Sequence, residues 1–290
     1  MEDTEQLLET TSFGETNRTD NWWSDPLMVF IGLGLFVVYG LFRTFYPIFV
    51  PQAPGISHGA LLSPFYSPLL FALDPGNHHA VFGAFPAGWP RLLRSPAILI
   101  LWAPLGLRVT CYYYRKAYYR AFFQDPTACA VAEPREDYKG ETGLLIFQNL
   151  HRYFLYLGLI FIVILSFDTV RALFWGAPSG APFWAGNFEI HLGTLVLGVN
   201  AFLLAGYTLG CHSLRYLVGG KLRCFSCPNN PRADGGKQLS SRYGLWKTVT
   251  KLNINHQTWA WFSLFMVAFA DFYVWMVSIG VWPDITLFAL

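Results

Sequence analysis

The most constraining feature of this 290-residue sequence is a set of five apolar stretches, each long enough to cross a bilayer. The hydrocarbon core of a membrane takes about 20 apolar residues as a helix. Open strands are excluded there because lipid offers no partner to their backbone polar groups. The sequence therefore predicts an all-α integral membrane protein, a five-helix bundle with helices at residues 27–50, 95–119, 144–175, 189–217 and 253–281.

Composition supports a lipid-facing surface. Charged residues make up 13% of the chain, against roughly a quarter in an average soluble domain. The net charge is +2 and the positive residues lie in loops, so no basic face for nucleic acid is expected. Five cysteines are too irregular a set for a secreted disulfide framework. The first 26 residues are acidic and polar, unlike a cleavable signal peptide.

The distribution of Lys and Arg predicts the orientation. Thirteen of them lie in residues 115–142 and 215–251, whereas residues 51–94 and 176–188 contain only Arg91 and Arg94. Positive residues are retained on the cytoplasmic side of a membrane. We therefore predict a cytoplasmic N-terminal segment (1–26), cytoplasmic loops at 120–143 and 218–252, and an external C-terminus.

The external loop at 51–94 is rich in Gly, Pro and aromatic residues. This composition favours a flap at the membrane surface over a free linker. No internal repeat was found by inspection, which disfavours an inverted-repeat transporter.

Cysteine and histidine residues collect at the predicted cytoplasmic ends of four helices. With a rise of about 1.5 Å per residue, their positions agree in depth to within several ångströms. The residues in this layer are Cys111, His151, Cys211, His212 and His256. Ionisable groups inside membrane helices are costly, so a layer of them favours a functional site.

A Cys-x-x-Cys pair, Cys224 and Cys227, follows this layer in the second cytoplasmic loop. Two thiolates at that spacing chelate one metal ion. We predict a metal centre with ligands drawn from Cys224, Cys227, His151, His212 and His256. Cys129 and Cys111 are interpreted as small core residues, the usual role of a lone cysteine.

Three cofactors fit this set of ligands to different degrees. A Rieske-type [2Fe–2S] cluster needs two cysteines and two histidines, which the set supplies, although the usual Rieske spacing is absent. Haem b needs two facing histidines but leaves the cysteine pair without a role. Structural zinc would accept two cysteines and two histidines, and would make the chain a membrane scaffold without redox activity. The Rieske-type cluster is favoured.

Four charged residues lie inside the outer half of the predicted helices: Arg43, Asp168, Arg171 and Asp271. Pairing among them is the expected role, and a proton route from the outer side is the less favoured alternative. The adjacent His78 and His79 in the external loop are expected to be solvated.

Three segments resemble a known family. Gln148–Tyr153, Cys211–Arg215 and Asn253–His256 are similar to the membrane-anchor subunits of actinobacterial succinate dehydrogenase, the respiratory complex II. The resemblance covers the third to fifth predicted helices well and the first ninety residues poorly. Five helices in one chain also resemble the single-chain cytochrome b-type anchors of this complex.

The resemblance implies a multi-pass subunit of the cell inner membrane that passes electrons to quinone. It implies a flavoprotein and an iron–sulfur protein as partners on the cytoplasmic face, and leaves room for a higher oligomer of whole complexes. The chain lacks a Gly-rich flavin-binding segment, so it is not expected to oxidise succinate itself. Arg152, Tyr153 and Trp259 are the predicted quinone contacts, at a depth where aromatic residues also collect as a membrane belt.

Overall fold

Helices dominate the chain, in a computed structural model that describes residues 21, 23–50, 55–74, 76–122, 150–178, 181–219 and 236–290. Four of the helices are long and apolar enough to cross a membrane. These four are α1 (Ser24–Phe49), α5 (His151–Arg171), α6 (Leu192–Leu209) and α9 (His256–Ser278).

The second predicted span, 95–119, is helical but broken into three pieces. They are α2 (Pro96–Ile100), α3 (Trp102–Val109) and α4 (Tyr112–Phe122). Pro104 within α3 has no N–H to donate, and proline interrupts helical hydrogen bonding. The Thr110 hydroxyl donates to the Gly106 carbonyl at 2.7 Å, next to the second break. The other two α-helices in the described residues are α7 (His212–Val218) and α8 (Gly236–Ile254).

The bundle places α6 between α5 and α9, with α3 against α5 and α1 against α4 and α9. Its two ends differ in chemistry. The end that carries His151, Cys211 and His256 is called the Cys/His end, and the opposite end, covered by residues 55–94, is called the flap end. A buried apolar cluster that includes Leu107, Leu155 and Leu264 lies behind the Cys/His end.

Short strands close the flap end, a feature that the all-helical prediction did not include. Strands β1 (Ser57–His58) and β2 (Leu61–Leu62) form a hairpin. A second sheet has the order β3-β4-β5, all antiparallel. Its strands are Phe174–Trp175, Asn187–His191 and Thr286–Ala289. The predictions of helix at 174–175 and at 189–191 were therefore wrong, because backbone pairing between distant segments replaces helical bonding there.

The flap is packed onto the bundle. Leu61 and Tyr66 are fully buried, and the Tyr66 hydroxyl donates to the Arg43 carbonyl at 2.6 Å. His78 is exposed as expected, but His79 is buried and its Nε2 lies 3.0 Å from the Gly59 carbonyl. Burial lowers the pKa of His79 to about 3, so the expectation of a solvated pair was wrong for this residue.

The expected pairing among the four charged residues near the flap end is found for Arg43 and Asp271, whereas Asp168 and Arg171 bond to neutral groups. Arg43 Nε donates to Asp271 Oδ2 at 2.7 Å, and both side chains are fully buried. Asp168 accepts a hydrogen bond from the Ser67 hydroxyl. Arg171 donates to the His78 carbonyl at 2.7 Å. These contacts attach the flap to α1, α5 and α9.

Candidate functional site

Two similar helix breaks place two cysteines at the Cys/His end. Cys111 lies between α3 and α4, and Cys211 between α6 and α7. At each break the cysteine carbonyl accepts from the backbone N–H four residues later, at 2.9 Å from Arg115 and 3.0 Å from Arg215. Both cysteines are buried and neither forms a disulfide.

The two breaks share a sequence pattern, Gly-x4-Cys-x3-Arg, at Gly106–Arg115 and Gly206–Arg215. At both glycines a ring from the next long helix lies against the backbone. A Cβ atom at Gly106 would lie 2.1 Å from Phe154 Cε1, and one at Gly206 would lie 2.6 Å from Trp259 Cε3. Phe154 and Trp259 each follow a histidine, His151 or His256, by three residues. The described chain thus contains a short internal repeat that the sequence analysis missed.

The cysteine and histidine side chains make contact across the two repeat units. His151 Nε2 lies 3.1 Å from Cys211 Sγ, and His256 Nε2 lies 3.8 Å from Cys111 Sγ. Each histidine therefore faces the cysteine of the other repeat unit. The four residues Cys111, His151, Cys211 and His256 are called the Cys/His cluster below.

The hydrogen bonds around His151 define its tautomer. The single hydroxyl proton of Thr110 goes to the Gly106 carbonyl, so its oxygen accepts from His151 Nδ1, 2.9 Å away. We therefore assign the proton of His151 to Nδ1, which leaves the lone pair of Nε2 directed at Cys211. This is how a second residue orients a histidine that ligates metal.

His256 is held by packing. It is 2% exposed, and its ring stacks on Tyr207 with centroids 4.9 Å apart. Its Nδ1 is buried without a hydrogen-bond partner in the described part of the chain. Asn253 Nδ2 donates to the Gly210 carbonyl at 2.7 Å, which fixes the α8–α9 junction beside the ring. This Nδ1 atom lies against the Gly210 backbone, and the other ring nitrogen, Nε2, is the one that faces Cys111.

The other predicted ligands are placed differently. His212 is exposed, and its Nε2 lies 3.5 Å from the Tyr113 hydroxyl rather than beside a cysteine. Cys224, Cys227 and Cys129 lie outside the described residues. Cys111 is 2% exposed in an apolar cluster, which agrees with its interpretation as a core residue, but its sulfur also faces His256.

No three His, Cys, Asp or Glu side chains among the described residues converge as a single metal ion would require. A two-iron cluster has a weaker requirement, because each iron takes only two protein ligands. The Cys/His cluster supplies four side chains of the right kinds in two crossed pairs.

A cavity of about 510 Å³ lies next to the cluster, between α1, α4 and α9. Tyr113 connects the two, because it lines the cavity and its ring centroid is 5.3 Å from that of His256. Polar and aromatic side chains share the wall, among them Asp25, Tyr112, Tyr113, Tyr114, Gln257 and Trp261. Such a mixture of a few polar groups and aromatic rings is typical of a small-molecule site.

The predicted quinone contacts lie away from this cavity. Arg152 and Tyr153 are exposed on α5, and the guanidinium carbon of Arg152 lies 5.9 Å from the Tyr216 ring centroid. Trp259 covers Gly206 and packs against Phe202. Among the described residues that line the cavity, none of these three is included.

Apolar spans, a flap that closes one end and a buried Cys/His cluster at the other define the class of the protein as a helical membrane anchor. A sequence model described as the actinobacterial succinate dehydrogenase subunit SdhC matches residues 24–280. The chain therefore belongs to this family, the membrane-anchor subunit of that enzyme, and the resemblance of the third to fifth helices is confirmed.

A solved structure agrees with this assignment. A chain described as "Mycobacterium smegmatis Sdh1 complex in the apo form" is 37% identical, with 97% of each chain covered and a TM-score of 0.72. No curated protein sequence matches the chain.

Proposed function

We propose that this subunit passes electrons from an iron–sulfur subunit to membrane quinone through a Rieske-type [2Fe–2S] cluster held by Cys111, Cys211, His151 and His256. The observation that carries the proposal is the crossed pairing of two cysteines, from two equivalent helix breaks, with the histidines that begin α5 and α9. Such a cluster would accept and release one electron at a time. The protein residues hold it, exclude water and position the acceptor.

The chemistry of the donors supports this type of cluster. A Rieske-type cluster takes two thiolates on one iron and two imidazoles on the other. A two-fold relation that exchanges the cysteines and exchanges the histidines is compatible with that division. His151 directs an unprotonated Nε2 at Cys211, and His256 directs its Nε2 at Cys111. The pair Cys224 and Cys227 remains the ligand set predicted from the sequence and is tested alongside.

The membrane orientation that we propose for the subunit follows from the distribution of its positive charges. We count the three pieces α2–α4 as one span and propose five spans, with the Cys/His end on the cytoplasmic side of the inner membrane. The thirteen Lys and Arg residues at 115–142 and 215–251 support this orientation. Flavoprotein and iron–sulfur subunits would dock there, as the similarity to a chain of the Sdh1 complex suggests.

The cavity beside Tyr113 is our proposed quinone site. The hydroxyls of Tyr112 and Tyr113 and the Gln257 amide can donate hydrogen bonds to quinone oxygens, and Trp261 offers a flat wall for the ring. Tyr113 separates this space from His256 by a single ring contact of 5.3 Å. A short separation of donor and acceptor is what electron transfer to a bound quinone requires.

The proposed centre is tested on the purified wild-type complex by EPR and by iron and acid-labile sulfide analysis. We expect a reduced [2Fe–2S] signal with histidine nitrogen couplings, in addition to the signals of the iron–sulfur subunit. A b-type haem spectrum without this extra signal would favour the haem alternative. Stoichiometric zinc with no redox signal would favour the scaffold alternative.

The proposed quinone site predicts that Trp261→Leu raises the KM for quinone about fivefold, because a stacked aromatic contact is worth about 1 kcal/mol. The matched control is Phe262→Leu on the same helix, since Phe262 is 62% exposed and is not among the residues that line the cavity. Steady-state quinone reduction measures both. A raised KM for Tyr153→Leu or Trp259→Leu, with Trp261→Leu unchanged, would instead support the sequence-based assignment.

A further inference from the structure

Arg108 is a buried cation near the Cys/His cluster. It is 9% exposed and lies on α3, three residues before Cys111. Its guanidinium donates to the Tyr114 hydroxyl, to Ser263 Oγ at 3.1 Å and to the Ala260 carbonyl at 3.3 Å. All these partners are neutral, and no described residue places a carboxylate within ion-pair distance of Arg108.

A second buried arginine, Arg43, has its charge compensated by an acidic side chain. Arg43 is fully buried and forms an ion pair with Asp271. A charge taken out of water costs several kcal/mol unless an opposite charge compensates for it. Tyrosine rings 4.9 Å and 5.4 Å from the Arg108 guanidinium carbon compensate in part, through cation–π attraction. Arg108 thus lacks the direct ion pair that Arg43 has among the described side chains, and Asp25 is the carboxylate on the wall of the neighbouring cavity.

The position of Arg108 points to where a compensating negative charge belongs. The Tyr207 ring lies 4.9 Å from the Arg108 guanidinium carbon and is stacked 4.9 Å from His256. Arg108 is therefore at most about 10 Å from the His256 ring centre. On its other side, Arg108 contacts Tyr114 and Ala260, which both line the cavity beside Tyr113.

We propose that Arg108 is the counter-charge of the redox centre, a positioning residue that raises the reduction potential of that centre. This inference rests on the proposed function. Each electron received from the iron–sulfur subunit adds one negative charge to the centre, and the buried guanidinium stabilises that charge. Two such electrons, with two protons, convert the quinone to quinol. The net charge around a cluster is a recognised determinant of its potential.

The test is a potentiometric EPR titration of the centre in the purified complex. Arg108→Gln removes the charge but keeps hydrogen-bonding capacity, and should shift the redox equilibrium of the centre toward the oxidised form by roughly tenfold. A unit charge at about 10 Å in an effective dielectric of about 20 gives an effect of this order. For a one-electron couple, tenfold corresponds to about 59 mV. Arg108→Lys should recover most of the wild-type potential.

Arg115→Gln is the matched control, because Arg115 lies four residues after Cys111 but is partly exposed. Solvent screening should keep its effect to a small fraction of the Arg108→Gln shift. An unchanged potential in Arg108→Gln, with the signal of the centre intact, would overturn the inference and leave the proposed function standing. Equal shifts in Arg108→Lys and Arg108→Gln would assign Arg108 a packing role instead. Absence of the centre from the wild-type complex would refute the proposed function itself.

If Arg108→Gln prevents assembly of the complex, Ser263→Ala offers a milder change to the same group. It removes one hydrogen-bond acceptor of the guanidinium and leaves the charge in place. The potential should then remain within about twofold of the wild-type equilibrium. A large shift in Ser263→Ala would contradict a role based on charge.

Discussion

Replacing Cys211 with serine is expected to eliminate the extra [2Fe–2S] signal and to lower quinone reduction more than about 100-fold. Even residues that only orient metal ligands cost 10–100-fold when mutated, so a direct ligand should cost more. Cys111→Ser should have the same effect, because the two cysteines occupy equivalent helix breaks. Succinate oxidation by an artificial dye should persist in both variants, since we propose that this reaction belongs to another subunit of the complex. EPR and paired activity assays measure the two outcomes.

Alanine variants separate a ligand from a core residue. If Cys111 only fills space, Cys111→Ala should be tolerated, because alanine is small and apolar like a buried thiol. If Cys111 is a ligand, alanine and serine should both remove the signal. Cys224→Ser and Cys227→Ser provide the comparison for the set predicted from the sequence. Loss of the signal in these two variants, but not in the Cys111 and Cys211 variants, would reassign the centre to the cytoplasmic loop.

The second large effect is expected at the flap end. Asp271→Asn should destabilise the subunit by about 3–5 kcal/mol, because it leaves the Arg43 guanidinium buried without its counter-charge. Asp271 also accepts hydrogen bonds from the Tyr39 hydroxyl at 2.5 Å and from Ser63. Loss of the Asp271 carboxylate should therefore weaken both the packing of the flap and the contact between α1 and α9. Thermal unfolding of the detergent-solubilised complex, with protease cleavage in 55–94 as a local probe, measures it.

The double variant Arg43→Met/Asp271→Leu is the matched control, since it removes both charges and leaves apolar side chains in their place. Buried ion pairs can be replaced by apolar residues at little cost, whereas breaking one is expensive. The double variant should therefore be more stable than Asp271→Asn. Equal or greater loss of stability in the double variant would show that the network contributes more than charge compensation. Normal stability with lost quinone reduction in Asp271→Asn would revive the proton route.

Predictions from the sequence succeeded where the physical signal is local. The apolar stretches located the four apolar helices α1, α5, α6 and α9, because hydropathy is a property of neighbouring residues, but not α8, most of which lies in the predicted loop 218–252. Pairing among the four charged residues was expected, since an isolated charge in lipid is costly wherever it lies, and Arg43 and Asp271 form such a pair. The prediction failed at 189–191, where a helix was expected, because strand β4 depends on pairing with residues almost one hundred positions away.

The candidate site shows the same division. The depth of the site, its residue types and its location at one end of the bundle were predicted from the sequence. The repeated Gly-x4-Cys-x3-Arg pattern was recognised only after the structure showed the two equivalent helix breaks. The role of Cys111 was not visible, because a lone buried cysteine has the same sequence signature whether or not it binds metal.

The sequence by itself determined a helical membrane protein of this family with a layer of Cys and His residues at one end. Only the tertiary structure decided which of them meet. His151 faces Cys211, 60 positions away, and His256 faces Cys111, 145 positions away. Helix packing, and the close ring contacts at Gly106 and Gly206, create these neighbours. Hydropathy and spacing report what is adjacent along the chain, whereas the crossed pairs depend on which helices pack together.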